Sequence, residues 1–272
     1  MGAILNSRIV KWVLAPVAVI CALVVVFAWG NFQPENPTCT FRYKLTAEVQ
    51  TPNGVKAGSS VWEVGYASSQ SAGGEINAHL SLTGQAPYVD LGSGKNLFIL
   101  LTNRYSGREG QYDDMYGNYD GVKGPLRSFS LPIKMFNLKW TFGKEKRLCD
   151  DFVVASATMK PEIPFGNLPT LIAFTDINDP TTVKVVQPDQ FDTDYGPGYK
   201  FLNAKIEATT EAPTNGLERI LPWLPSKAPK DTSMGGASIS GRAARTFGPL
   251  YDRLDYAMFT ADHQTAPHGY WP

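Results

Sequence analysis

FRYKLTAEVQTPNGVKAGSSVWEVGYA, residues 41–67, decides the fold class. Over 41–50, aromatic or aliphatic side chains alternate with polar ones, which is the period of a strand with one buried face. Asn53-Gly54 is a turn pair that tolerates positive φ, and a second β-branched and aromatic run follows it through 61–66. The stretch therefore predicts a β-hairpin.

The rest of the chain predicts more short strands than helices. We predict strands at 78–82, 88–91, 96–102, 131–142, 152–158, 170–176, 182–186 and 199–209, and one short helix that begins near Pro188-Asp189. Gly, Pro, Asn or Asp bound most of these runs, and segments suited to crossover helices are scarce. We therefore expect a mainly β domain over residues 39–224, built as an antiparallel β-sandwich or open barrel.

An apolar segment precedes this domain. WVLAPVAVICALVVVFAW, residues 12–29, carries no charge and nearly matches the length that crosses a hydrocarbon core of about 30 Å. Trp12 and Trp29 stand at its two ends, where indole rings prefer the membrane interface. We predict an N-terminal transmembrane helix over residues 12–30.

The charges beside this segment predict its orientation. Arg8 and Lys11 come before it, whereas Glu35 and no cation stand in the first residues after it. The positive-inside rule then leaves residues 1–11 in the cytoplasm and the globular domain in the periplasm of a bacterial inner membrane. A cleaved signal peptide is the alternative, because Ala28 and Gly30 are small residues at a possible cleavage site.

Two cysteines lie outside the apolar segment. Cys39 and Cys149 allow one intramolecular pairing, which an oxidising compartment favours. The chain-entropy model gives such a long closed loop about 4 to 5 kcal/mol of stabilisation. We predict a disulfide between them, with two buried free thiols as the alternative.

Two segments show neither the hydrophobic period of a strand nor that of a helix. We predict that they form contact surfaces. Residues 105–125 are rich in Gly, Tyr and Asp and predict a long surface loop, and residues 225–272 predict an irregular tail that drapes over the domain or over a partner. Tyr and Met are enriched at protein interfaces. The candidate interface residues are Tyr105, Tyr112, Met115, Tyr116, Tyr119, Tyr251, Leu254 and Phe259.

Residues 168–224 together with 41–64 resemble a group of proteobacterial membrane-anchored or exported proteins of unassigned function. The matching features are Gly58-Ser59-Ser60-Val61, DLGSGKNLFILL at 90–101, residues 168–180, residues 191–198, and Leu221-Pro222-Trp223-Leu224. The resemblance covers about half of the chain and excludes the tail beyond Pro225. It carries no catalytic motif onto any position, and it implies a location in the bacterial envelope.

The sequence contains only weak matches to motifs that bind ligands or metals. Gly92-Ser93-Gly94-Lys95 lacks the glycine spacing of a phosphate loop and predicts a hairpin turn. Asp176, Asn178 and Asp179 offer oxygen ligands for calcium, but Asx-turn chemistry before Pro180 explains them without a metal. We predict no cofactor.

The candidate catalytic residues and the net charge of the chain are compatible with three classes of function. Three scattered histidines and no G-x-S-x-G elbow argue against a hydrolase, and 25 basic against 25 acidic residues argue against a nucleic-acid partner. We expect a non-catalytic accessory or structural subunit of a membrane complex, whose partners are the bilayer and a membrane protein. A periplasmic module that binds a small ligand, carbohydrate or lipid is the alternative, and an unrecognised hydrolase is the third.

Overall fold

The computed structural model describes residues 38–70, 74, 76–101, 128, 130–227 and 259–265. Within these residues, nine strands form two sheets in which all neighbours are antiparallel. The strands are β1 (Thr38–Thr51), β2 (Gly54–Gln70), β3 (Ile76–Gln85), β4 (Tyr88–Gly92), β5 (Lys95–Ile99), β6 (Leu171–Phe174), β7 (Val183–Val186), β8 (Lys200–Ala208) and β9 (Thr260–Thr265). The prediction of a mainly β fold is confirmed, and the two sheets are consistent with a sandwich.

The long hairpin of β1 and β2 organises the first sheet, whose order is β8-β1-β2-β3-β9. Its register is continuous from Thr38 opposite Ala67 to Thr51 opposite Gly54. Alternate side chains of β1 from Cys39 to Val49 are buried, as the period of two predicts. Pro52 and Asn53 form the two-residue turn, one residue earlier than the predicted Asn53-Gly54 pair. Gly54, with φ of 107°, is the first residue of β2.

The second sheet has the order β4-β5-β6-β7, and its two central strands, β5 and β6, are buried on both faces. Leu97 and Ile99 of β5 face a core that the first sheet shares, while Phe98 belongs to a second apolar cluster on the opposite side. Because both faces are covered, β5 and β6 are nearly continuous apolar runs rather than alternating ones.

Two predicted strands are wrong. The predicted strand at 131–142 contains helix α1 (Ser130–Met135), and the one at 152–158 overlaps helix α2 (Glu145–Ser156). Pro132 cannot donate to a strand ladder, but the first turn of a helix needs no hydrogen bond from it. In α2, Leu148 and Phe152 are four residues apart and both are buried, so they lie on one helical face.

The remaining elements agree with the expectations. The predicted strands at 78–82, 88–91, 96–102, 170–176, 182–186 and 199–209 correspond to β3 to β8, and the predicted short helix is α3 (Phe191–Tyr195). Ser93 and Gly94 form a tight turn with φ of 53° and 76° between β4 and β5. The hairpin-turn interpretation of Gly92-Ser93-Gly94-Lys95 is thus confirmed.

The tail contributes more structure than its composition predicts. Within residues 225–272, β9 pairs with β3 and extends the first sheet. The predicted anchor at 12–30, with Trp12 and Trp29, lies outside the described residues. Among the helices that the structure does describe, none has the length and apolar character needed to cross a membrane.

Candidate docking groove

An open groove lies where β1, α2 and the end of β8 meet. Its volume is about 560 Å³. Three short stretches line it, one from each element: residues 40–42 of β1, Cys149, Phe152 and Val153 of α2, and Ala208 with the two threonines that follow it. The groove is therefore bounded by a strand, a helix and a turn.

The groove exists because β8 is shorter than β1. The ladder between them starts at Tyr43 opposite Ala208, and one more backbone bond joins the Thr209 nitrogen to the Arg42 oxygen over 3.2 Å. β1 continues to Thr38, so residues 38–41 extend past the end of its neighbour. The carbonyl oxygen of Thr40 faces the groove, 3.8 Å from the Cys149 sulfur.

A disulfide fixes the helix beside the strand. Cys39 and Cys149 are bonded, with their Cα atoms 5.5 Å apart, which confirms the predicted pairing. One turn along α2, the rings of Phe41 and Phe152 stack with centroids 3.8 Å apart. The wall of the groove is thus held by one covalent bond and one aromatic contact.

The outer rim of this wall is apolar and exposed. Val153 is 65% exposed and Val154 is 73% exposed, at the C-terminal end of α2. Val153 lines the groove beside Phe152, whereas Val154 lies outside the lining. Contiguous exposed apolar side chains beside a concave surface mark interaction sites more often than isolated ones do.

Charged side chains at the opposite rim are paired among themselves. The Arg42 guanidinium donates to Glu63 over 2.6 Å, and Lys44 contacts Glu211 over 3.0 Å. The wall at Val153 and the floor at Phe41 carry no charge, so the groove presents an apolar centre with a neutralised polar edge. Interfaces between proteins have this arrangement of an apolar core and a polar rim.

A buried clamp closes the base of the predicted surface loop. The Ser128 hydroxyl donates to the Leu101 carbonyl over 2.7 Å, and the Tyr43 hydroxyl donates to the Ser128 carbonyl over 2.6 Å. Burial, with Tyr66 nearby, raises the pKa of Tyr43 well above its usual value, so this hydroxyl stays a donor. Leu101 and Ser128, the described residues on either side of 102–127, are therefore held together in the core.

Seven of the eight candidate interface residues lie outside the described residues: Tyr105, Tyr112, Met115, Tyr116, Tyr119, Tyr251 and Leu254. The eighth, Phe259, is fully buried in the second apolar cluster of this chain. Its assignment to an exposed interface is corrected accordingly. The ring is large and apolar, and the domain's own cleft covers it.

The calcium candidates have a local explanation. The Asp176 carboxylate accepts from the Asn178 backbone over 2.9 Å, and the Asp179 carboxylate accepts from both the backbone and the hydroxyl of Thr181. These hydrogen bonds lower the pKa of Asp179. Within the described ranges, no group of three or more His, Cys, Asp and Glu side chains is placed to bind a metal.

Comparison with known proteins gives no match: no family model, no curated protein and no solved structure is similar to this chain.

Sequence reasoning missed the residues that form the groove. Val153 and Val154 were assigned to the predicted strand at 152–158 because they are β-branched and follow Phe152. The signal that could have found them is the spacing of Glu145, Leu148 and Phe152, which places all three on one buried helical face. Two valines outside that face are then exposed.

Proposed function

We propose that this chain is a non-catalytic accessory subunit of a bacterial membrane complex. An N-terminal helix anchors it in the inner membrane, and its periplasmic β domain, with the two sheets arranged as a sandwich, docks on a membrane-protein partner. The observation that carries the proposal is the groove whose lining includes Phe41, Phe152 and the exposed Val153. Such a surface is costly to leave in water unless a partner covers it.

The position of the groove along the chain supports the membrane as its setting. The predicted anchor ends at residue 30, and β1 starts at Thr38. Only residues 31–37 separate the two in the sequence. Residues 40–42 of the groove therefore follow the predicted anchor closely along the chain, which favours a partner in the same membrane.

The clamped loop provides a second contact on the same partner. Leu101 and Ser128, which flank residues 102–127 in the sequence, are joined in the core. A fixed base lowers the entropy lost when a loop docks. The tyrosines of this loop then give contact area at small further cost in entropy.

Co-purification with matched variants tests the proposal. The full chain is extracted from its native membrane in mild detergent, native complexes are separated by size, and mass spectrometry identifies what co-migrates. Val153→Asp should weaken the association about tenfold or more, because Val153 lines the groove and the docked interface would bury an unpaired charge. Val55→Asp is the control, since Val55 is 55% exposed on the β1–β2 hairpin far along the strand from the groove.

A second candidate function is a binding module for a small ligand, carbohydrate or lipid. The volume of the groove, about 560 Å³, falls in the range of small-molecule sites. In that case the protein migrates alone in detergent, and Val153→Asp reduces binding of a lipid or glycan probe rather than of a protein.

A further inference from the structure

Strand β1 has an open backbone edge inside the groove. Successive residues of a strand direct their N–H and C=O groups to opposite edges, so alternate residues serve the same neighbour. The Arg42 carbonyl accepts from the Thr209 nitrogen on the β8 side over 3.2 Å. Thr40, two residues earlier, therefore directs its N–H and C=O to that same side, away from β2. The ladder with β8 has ended by then, at Tyr43 opposite Ala208.

The segment that follows β8 does not continue beside Thr40. After Thr209 the chain turns across the sheet toward β2. The Arg42 guanidinium donates to the Thr210 carbonyl over 3.4 Å, and the Thr214 nitrogen donates to the Val61 carbonyl of β2 over 3.0 Å. This segment therefore leaves open the position that lies next to β1 and in line with β8.

The nearest atom to the Thr40 carbonyl oxygen on this side cannot donate to it. The Cys149 sulfur lies 3.8 Å away, but it is bonded to Cys39 and carries no proton. Among the residues that the structure describes, no other group donates to this carbonyl or accepts from the Thr40 N–H. Thr40 is exposed and lines the groove. One main-chain donor and one main-chain acceptor thus face an open groove.

We propose that the groove binds an extended, uncharged segment of the partner protein, which pairs with Thr40 as an added strand in line with β8. The inference rests on the proposed accessory function and names how the partner is recognised. Main-chain hydrogen bonds to an open strand edge are an established mode of peptide recognition. Side chains of a strand alternate between its two faces, and the wall at Phe152 and Val153 carries no charge. The added strand therefore places an apolar side chain on that wall at every second residue.

Proline at position 40 tests the pairing, because it removes the N–H that the added strand would use. Thr40→Pro should lower the thermal midpoint of unfolding far less than Thr46→Pro, since Thr46 directs its N–H into the ladder opposite Lys205 of β8. Thr40→Ala retains the N–H and is the matched control for binding. In the native complex, Thr40→Pro should weaken the association about tenfold relative to Thr40→Ala.

Amide hydrogen exchange of the full chain, read at single residues, measures the pairing directly. In the chain without its partner, the Thr40 amide should exchange at least about tenfold faster than those of Cys39 and Phe41, which point to β2. In the native complex, exchange at Thr40 should slow by about tenfold or more. A blocked peptide of sequence TVTVT, with its fully N-methylated form as control, serves as a probe that needs no partner protein.

The outcomes separate this inference from the accessory function. Co-migration with a membrane complex that leaves exchange at Thr40 unchanged, or equal association of Thr40→Pro and Thr40→Ala, would overturn the strand pairing and leave the accessory function standing. A chain that migrates alone, but whose Thr40 amide is protected by the TVTVT peptide and not by the N-methylated form, would contradict the accessory function and support the strand pairing. A chain that migrates alone and gains no protection from the peptide would overturn both.

Discussion

Phe41 of β1 and Phe152 of α2 stack almost parallel, with ring centroids 3.8 Å apart and an angle of 14° between their planes. Phe152 also meets Phe136 edge to face at 5.2 Å. The contact between Phe41 and Phe152 joins β1 to α2, the helix that forms the wall of the groove. The groove therefore depends on Phe152 for its shape as well as for part of its lining.

Phe152→Ala should lower the free energy of unfolding by about 3 to 5 kcal/mol, because it leaves a cavity between β1 and α2. Val153→Ala, at the next residue, is the control and should change stability by about 0.5 kcal/mol or less, since Val153 is 65% exposed. Chemical denaturation of both variants measures the difference. Equal losses in the two variants would contradict the described packing of α2.

Reduction of the disulfide should destabilise the domain. Cys39 and Cys149 close a loop with a sequence separation of 110, for which the chain-entropy model gives about 4 to 5 kcal/mol as an upper value. Thermal unfolding of the domain with and without reductant measures the loss. The double variant Cys39→Ala/Cys149→Ala should show the same lower melting temperature in both conditions, and an unchanged midpoint on reduction would show that α2 needs no covalent tether.

The loop clamp should behave as one unit. Ser128→Ala leaves the buried Leu101 carbonyl without its donor, and Tyr43→Phe does the same to the Ser128 carbonyl, so each should cost about 1 to 3 kcal/mol. Denaturant unfolding of both single variants and of the double variant gives the coupling between them. Because both hydrogen bonds involve Ser128, the double variant should lose less than the sum, whereas strict additivity would mean that the two bonds act separately.

Glu48 should make stability depend on pH. A hydrogen bond from Asn203, and a weaker contribution from Lys205, hold the pKa of the Glu48 carboxyl below its usual value. A carboxyl whose pKa is lowered in the folded state stabilises the protein above its unfolded pKa, near 4.3, and this contribution is lost as pH falls through the lower folded value. The difference in unfolding free energy between Glu48→Gln and the parent chain should therefore be largest at pH 7 and should shrink as the pH falls below about 4.3. A constant difference across that range would contradict the assignment.

The sequence predicted the elements whose signals are local. The hairpin of β1 and β2 combines a strict period of two with a turn, and Ser93-Gly94 places two residues of positive φ between strands. Helix α2 was missed because Phe152, Val153 and Val154 all favour strands, while the helical spacing of its buried residues begins earlier at Glu145. The disulfide was predicted because two cysteines permit a single pairing.

The groove and the Phe259 cleft were not predictable from local patterns. The groove arises because β8 ends at Ala208, opposite Tyr43, and this register is set by the packing of the whole sheet. Phe259 stands in a tail whose composition predicts little structure, and its cleft is assembled from Phe98 and Trp223, far apart in the chain. Such sites become visible only when distant segments are brought together.

Native complexes extracted in mild detergent test the central claim most directly, with Val153→Asp and Val55→Asp compared side by side. The account predicts that the parent chain and the Val55→Asp variant co-migrate with one membrane complex in fixed ratio, with the N-terminal segment intact, and that the Val153→Asp variant does not. A parent chain that migrates alone, or that begins near Asn31, would contradict it.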